Sequence, residues 1–148
     1  MKAISPFQIV STRIRKLSMV VGEISPGAVY KTRYTFKCSS PDANESDDEY
    51  YGKIAFCVVA VIKSDNAKLM NVTLDMEGSF RTNKDEHAQT MGIDLNKFLA
   101  MIDMNGLVAL SQIARSTLLS ITSQSGIQPG LMMPMLNINE LKKQRRIN

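Results

Sequence analysis

The feature that most constrains this chain is a stretch of 36 residues, from Met104 to Asn139, that carries a single charged side chain, Arg115. Charged residues make up 22% of the whole sequence, so this stretch must be largely hidden from water. Its first part has apolar residues at helical spacing, whereas its second part contains Pro129 and Pro134 and cannot be a helix. The sequence therefore predicts a long buried helix followed by an extended apolar segment.

The length and composition fit one folded domain. A chain of 148 residues with 44% apolar residues is typical of a globular protein, and we predict a single domain over residues 1–148. The low-charge stretch is interrupted by Ser, Thr, Gln, Gly and Pro, so no membrane span is predicted. The first residues lack the pattern of a secretory signal, and the cytoplasm is the expected location.

The net charge of +4 has a local origin in the sequence. Lys142, Lys143, Arg145 and Arg146 supply four positive charges, and the other 14 basic residues balance the 14 acidic ones. This arithmetic predicts a neutral body with a basic, solvated tail over residues 142–148. A nucleic-acid-binding adaptor that uses this tail is one alternative function, although four terminal charges give only weak and salt-dependent binding.

Four segments have the residue pattern of strands: 7–21, 29–38, 51–62 and 68–80. The first alternates with interruptions at Val10 and Ile14, which indicates either one strand with a bulge or two pieces. The third is apolar in both phases, as expected for a strand covered on both faces. The acidic segment 39–49 could hold a cation, but it lacks the spacing of a calcium loop, so a solvated hairpin loop is the favoured interpretation.

No motif in the sequence indicates catalysis or metal binding. His87, the only histidine, lies in a polar segment without a recognisable nucleophile nearby. Cys38 and Cys57 lack Cys-x-x-Cys spacing, and we interpret them as buried reduced thiols, with a disulfide as the alternative. We therefore predict no enzymatic activity, no metal and no cofactor.

The main helix is predicted to begin after Asn105 as its N-cap, to run to about Ser123 and to be closed by Gly126. Its stripe of apolar residues faces a core, and its opposite side also lacks charge apart from Arg115. Such a helix is normally enclosed between two layers, so a second subunit is predicted to cover it. The predicted interface consists of Leu107, Val108, Ser111, Arg115, Leu119 and Thr122.

The end of the chain resembles the SecB protein-export chaperones. The resemblance lies in Gly126-x-x-Pro129-x-Leu131-x-Met133, followed by Leu136-Asn137-Ile138-x-x-Leu141. Phe7-Gln8-Ile9, Glu77-Gly78-Ser79-Phe80, Asn105-Gly106 and Ala114-Arg115 are similar to other parts of the family pattern. Two departures mark a divergent member: Pro134 stands one position early, and Ala109-Leu110-Ser111 replaces the usual aromatic-Pro-Tyr.

This resemblance implies a two-layer α+β fold, with a four-stranded antiparallel sheet followed by a long helix and a short C-terminal helix. It also implies a homo-oligomer, expected to be a tetramer built as a dimer of dimers. The family binds unfolded polypeptides without ATP, either for protein export or to protect an unstable antitoxin. Its translocation motor meets an acidic sheet face, whereas this chain has Lys31, Arg33 and Lys37 on a strand, so binding to that motor is uncertain.

Passive capture of unfolded chains requires apolar side chains that adapt to many sequences, and methionine is well suited to this. A Met-rich segment is also common as simple core filling, and that interpretation stays open. A structural oligomerisation module without client binding is a further alternative. The residues predicted to bind clients are Ile127, Leu131, Met132, Met133, Met135 and Leu136.

Overall fold

The computed structural model of the protein describes residues 4–22, 29–64, 67–125 and 130–147. The strands are β1 (Phe7–Val21), β2 (Lys31–Cys38), β3 (Asp42–Glu45), β4 (Glu49–Ser64) and β5 (Ala67–Asn83). The helices are α1 (Glu86–Thr90), α2 (Leu95–Met101), α3 (Leu107–Gln124) and α4 (Ile138–Ile147), with a π-helical segment over Ile102–Gly106.

The strands form one antiparallel sheet in the order β1-β5-β4-β2. β2 and β3 both pair with β4 and lie end to end along the same edge of that strand. At the break between them, the backbone N–H of Ala55 donates to Ser39 Oγ at 2.9 Å. The predicted four-stranded sheet is therefore confirmed, with one outer strand divided in two. The short strand β3 lies in the segment that was predicted to be only a loop.

β1 is a single strand with two irregularities, which decides between the two alternatives that its sequence pattern allowed. Its register against β5 shifts between Ile9 and Ser11 and again between Ile14 and Lys16. Such bulges bend a strand and increase its twist.

The prediction that Asn105 begins the main helix is wrong. α2, the π-helical segment and α3 follow one another without a break, and the N-cap is Asp94, whose side chain accepts from the backbone N–H of Lys97 at 2.7 Å. Asn105 and Gly106 lie inside the π-helical segment. Gly106 lets this segment pack closely on the sheet, because a Cβ at this position would lie 3.0 Å from the Phe80 ring and that ring would have to shift.

The core lies between one face of the sheet and the helices. α3 lies over β4 and β5, and α4 packs on β2. On β4 and β5 the even-numbered residues are buried against the helices, in the alternation expected of strands. No helix within the described ranges is long and apolar enough to cross a membrane. The largest fully buried side chains are Phe56, Phe80, Phe98, Ile54, Met70, Leu74, Ile102, Leu107, Leu110, Leu118, Met133 and Val58.

The prediction that β4 is covered on both faces is wrong. Its outward residues Cys57, Val59 and Val61 are only half-buried, because neighbouring side chains rather than a second layer shield them. The two cysteines are free. Cys38 lies opposite the buried Phe56 and Cys57 lies opposite Lys37, so the thiols are on different faces of the sheet and cannot bond to each other.

Asp103, in the π-helical segment, holds α4 in place. Arg145 Nη1 and Nη2 donate to its two carboxylate oxygens at 2.8 and 3.1 Å, and Lys142 Nζ lies 3.1 Å from Oδ2. Burial raises the pKa of the Asp103 carboxyl, but hydrogen bonds from Arg145 and Lys142 outweigh it, and the pKa lies below its ordinary value. The prediction of a solvated tail is therefore wrong for Lys142 and Arg145.

Candidate functional site

The extended segment between α3 and α4 alternates its side chains between core and solvent over residues 131–133, and from Pro134 to Met135 both side chains are exposed. Leu131 and Met133 are 7% and 2% exposed, whereas Met132 and Met135 are 57% and 75% exposed. Leu136 is half-buried and packs against the edge of the core. Two flexible thioether side chains, Met132 and Met135, therefore lie on the surface of a segment whose buried residues Leu131 and Met133 pack in the core.

Three side chains bind the backbone of this segment. Thr122 Oγ1 on α3 accepts from the N–H of Leu131 at 2.7 Å, and Arg115 Nε donates to the carbonyl of Met133 at 2.9 Å. From the other side, Tyr34 Oη on β2 donates to the carbonyl of Met132 at 3.2 Å. The segment is thus fixed between α3 and β2 although it has no regular secondary structure.

Gly130 allows the segment to approach α3 closely. A Cβ at this position would lie 2.8 Å from the carbonyl oxygen of Leu119 and would also collide with the Ser123 hydroxyl. A larger residue would push the segment away from the helix, because a backbone atom cannot move aside as a side chain can.

The six residues predicted to bind clients fall into three groups. Met132 and Met135 are available on the surface, and Leu136 is partly so. Leu131 and Met133 belong to the core, and a bound chain cannot reach their side chains while they remain packed. Ile127 lies outside the described residues.

The six residues predicted to form the subunit interface also divide. Leu107, Ser111 and Thr122 are buried against the chain's own sheet and segment, so they offer no surface to a second chain. Val108, Arg115 and Leu119 are half-buried. Arg115 already binds the carbonyl of Met133, a role that its position on the helix did not reveal.

A second apolar surface, which the sequence did not indicate, lies on β1. Ile14, Leu17 and Val21 stand opposite Met76, Leu74 and Met70 of β5, which are core residues on the helix side of the sheet. All three β1 side chains are more than 40% exposed because α3 lies over β4 and β5 rather than over β1. We refer to Ile14, Leu17 and Val21 as the β1 apolar row.

Groups suited to metal binding or nucleophilic chemistry are not assembled in the described part of the chain. No group of three or more His, Cys, Asp or Glu residues lies close enough to hold a metal ion among those residues. Burial raises the pKa of both the Cys38 and Cys57 thiols, so neither favours a thiolate. Hydroxyls on α3 donate back to helix carbonyls, as Ser111 does to Val108 and Thr117 to Ile113, both at 2.8 Å.

No protein-family model matches this sequence, and no curated protein matches it. Among solved structures, the SecB-like chaperone Rv1957 of Mycobacterium tuberculosis, in complex with a ChAD peptide from the Rv1956 HigA1 antitoxin, matches with a TM-score of 0.60 and 15% identity. The match covers 88% of this chain and 91% of that chain. A Streptococcus agalactiae protein of unknown function has a TM-score of 0.43 and 9% identity, over 87% of this chain and 97% of that one.

The predicted α+β architecture, with an antiparallel sheet, a long helix and a short C-terminal helix, is confirmed by both the structure and the first of these matches. This chain has a SecB-like fold.

Proposed function

We propose that this protein is an ATP-independent chaperone, a holdase, that binds unfolded polypeptides at Met132 and Met135. The observation that carries the proposal is the exposure of these two side chains on a segment whose backbone is fixed by Thr122, Arg115 and Tyr34. The SecB-like fold supports it, since the matched Mycobacterium tuberculosis chaperone was solved with an antitoxin peptide. The reaction is binding alone, without catalysis or a cofactor.

The energy of such capture comes from apolar burial. Fully burying a Met side chain contributes about 1.5–3 kcal/mol, so covering the exposed parts of two contributes about 2–4 kcal/mol. A client segment loses conformational freedom when it binds, which offsets part of this gain. Binding at one protomer is therefore weak, and several linked sites are needed to retain a long unfolded chain.

A homo-oligomer supplies linked sites, and we propose a dimer of dimers. Two features support self-association: the β1 apolar row is uncovered, and the outward side of α3 carries no charged side chain other than Arg115. Among the α3 residues predicted to form the interface, Val108 and Leu119 are the apolar ones that keep surface to contribute. Light scattering measures the mass of the assembly. Leu17→Asp, in the β1 apolar row, should lower that mass because a carboxylate in an apolar interface is strongly disfavoured.

The client is proposed to be a cytoplasmic polypeptide, either a protein awaiting export or an unstable antitoxin. Export is the less favoured of the two. The translocation motor of the SecB family meets an acidic sheet face, whereas Lys31, Arg33 and Lys37 are exposed on β2 of this chain. Titration of a purified translocation motor against this protein separates the two cases, because binding of the motor is expected only if the protein serves export.

The experiment that tests the holdase proposal is suppression of aggregation of reduced, unfolded lysozyme. The double variant Met132→Ser/Met135→Ser should lose about 2 kcal/mol of binding free energy, roughly thirtyfold in affinity, while staying folded because neither side chain is in the core. Met133 must be left intact, since a polar residue at a site that is 2% exposed would unfold the core.

The matched control is Ile4→Ser/Met91→Ser, which removes two exposed apolar side chains, one before β1 and one directly after α1. The control should suppress aggregation as well as the unaltered protein. If both double variants suppress lysozyme aggregation equally well, Met132 and Met135 are not part of the client site. If the unaltered protein does not suppress aggregation at all, the protein is a structural oligomerisation module and not a holdase.

A further inference from the structure

The outer face of the sheet, on the side away from the helices, carries a group of positive charges along β2 and the adjoining end of β4. Because the even-numbered residues of β4 are buried against the helices, the odd-numbered ones and their partners on β2 point outward. No acidic residue occupies an outward position of β2 or of residues 57–63 of β4. The outward cations, which we call the basic strip, are Lys31, Arg33, Lys37 and Lys63.

The basic strip is electrostatically unsatisfied. Within the described ranges, none of its four side chains forms an ion pair or a side-chain hydrogen bond. The outward acids of β5 are already engaged, since Arg13 binds Glu77 and Arg15 binds Asp75, each at 3.0 Å.

The register adds a repulsive contact within the strip. Lys31 and Lys63 are direct cross-strand partners, and like charges in that relation destabilise a sheet. An anionic partner bound at this place would relieve that repulsion.

The side chains between the cations indicate what kind of anion fits. Val59 and Val61 are half-buried and lie directly opposite Thr35 and Arg33, so the strip contains aliphatic as well as basic surface. No aromatic side chain occupies an outward position of β2 or of residues 57–63 of β4. Single-stranded nucleic acid is usually held by stacking on aromatic rings, so these contacts favour a polypeptide that carries both acidic and aliphatic side chains.

We propose that the basic strip binds an extended acidic segment of a partner protein, aligned along the edge strand β2. β2 is the last strand in the sheet order, so an added strand can pair with it. Alternate residues on a strand repeat at roughly 6.6 Å, and acidic residues at every second position would therefore meet positions 31, 33 and 37. This surface is separate from Met132, whose carbonyl is held by Tyr34 on the opposite, helix-facing side of β2.

The test is fluorescence anisotropy of a fluorescein-labelled peptide of alternating glutamate and valine, added to the full chain. We expect salt-sensitive binding that falls roughly tenfold in Arg33→Glu/Lys37→Glu, because each exposed ion pair contributes modestly and charge reversal makes each contact repulsive. The matched control is Lys97→Glu/Lys143→Glu, which changes the net charge equally on the helical layer, and its affinity should stay within about twofold of the unaltered chain.

Four results would overturn the proposal. If both double variants lose affinity for the glutamate–valine peptide equally, only the net charge of the chain matters. If a lysine–valine peptide binds as tightly as the glutamate–valine peptide, the contact is not electrostatic. Tighter binding of a single-stranded RNA of the same charge would assign the strip to nucleic acid. A lower mass for Arg33→Glu/Lys37→Glu in light scattering would assign it to a second copy of this chain.

Discussion

The hydrogen bond from Leu131 to Thr122 gives the sharpest prediction about how the extended segment between α3 and α4 is held in place. Thr122→Val keeps the shape of the side chain but removes the oxygen that accepts from the Leu131 N–H at 2.7 Å. Both residues are buried, so that N–H would be left without a partner, at a cost of about 1–3 kcal/mol. The lost bond from Thr122 to the Leu118 carbonyl adds little, because back-bonding of this kind does not stabilise helices.

The matched control for this prediction is Thr117→Val. Thr117 lies on the same helix and donates to the Ile113 carbonyl at 2.8 Å, and it forms no hydrogen bond with residues 130–137 of the segment. Urea unfolding should show Thr122→Val less stable than Thr117→Val by about 1–3 kcal/mol, and amide hydrogen exchange at Leu131 should accelerate only in the first variant. Equal stabilities with unchanged exchange at Leu131 would refute the conclusion that this bond fixes the segment.

Other contacts lead to further predictions. Asp103→Asn should cost about 2 kcal/mol in urea unfolding, because Arg145 and Lys142 lose their charged acceptor. Folding lowers the pKa of Asp103, so the stabilisation from this carboxylate is complete above its unfolded pKa of about 4 and is lost as the pH falls through the folded pKa. The unaltered protein should therefore lose stability more steeply in acid than Asp103→Asn does. Gly130→Ala should cost about 1–3 kcal/mol and expose the segment to proteolysis, because its Cβ meets the Leu119 carbonyl; an unchanged melting temperature would contradict this.

Much of the fold could be predicted because apolar and polar residues alternate along the strands and apolar residues form a stripe along the helix. Leu110, Ala114 and Leu118, which recur along α3 at a spacing of four residues, are all buried. The helix start could not be placed correctly, since Asn105-Gly106 has the same local appearance in a cap as in a π-helical segment. The helix is capped by Asp94 instead, and Gly106 packs on Phe80, a residue distant in sequence.

The candidate site was predictable in position but not in detail. Strict alternation would turn Met135 inward with Leu131 and Met133, but Met135 is exposed, so the sequence pattern alone does not say which side chains reach the surface. The backbone of the segment is held by Thr122, which accepts from Leu131, and by Arg115, which donates to Met133; these residues lie 9 and 18 positions from their partners in the chain. Three members of the basic strip, Lys31, Arg33 and Lys37, are visible on one strand in the sequence, but Lys63 joins them only through the pairing of β2 with β4.

The proposed binding of unfolded polypeptide at Met132 and Met135 can be tested directly by labelling the methyl groups of the ten methionines with carbon-13. The buried Met70 and Met76 serve as internal controls. On addition of reduced, unfolded lysozyme we expect the methyl signals of Met132 and Met135 to shift while those of Met70 and Met76 stay in place. Unchanged signals from Met132 and Met135 under conditions where the protein suppresses aggregation would contradict the proposed client site.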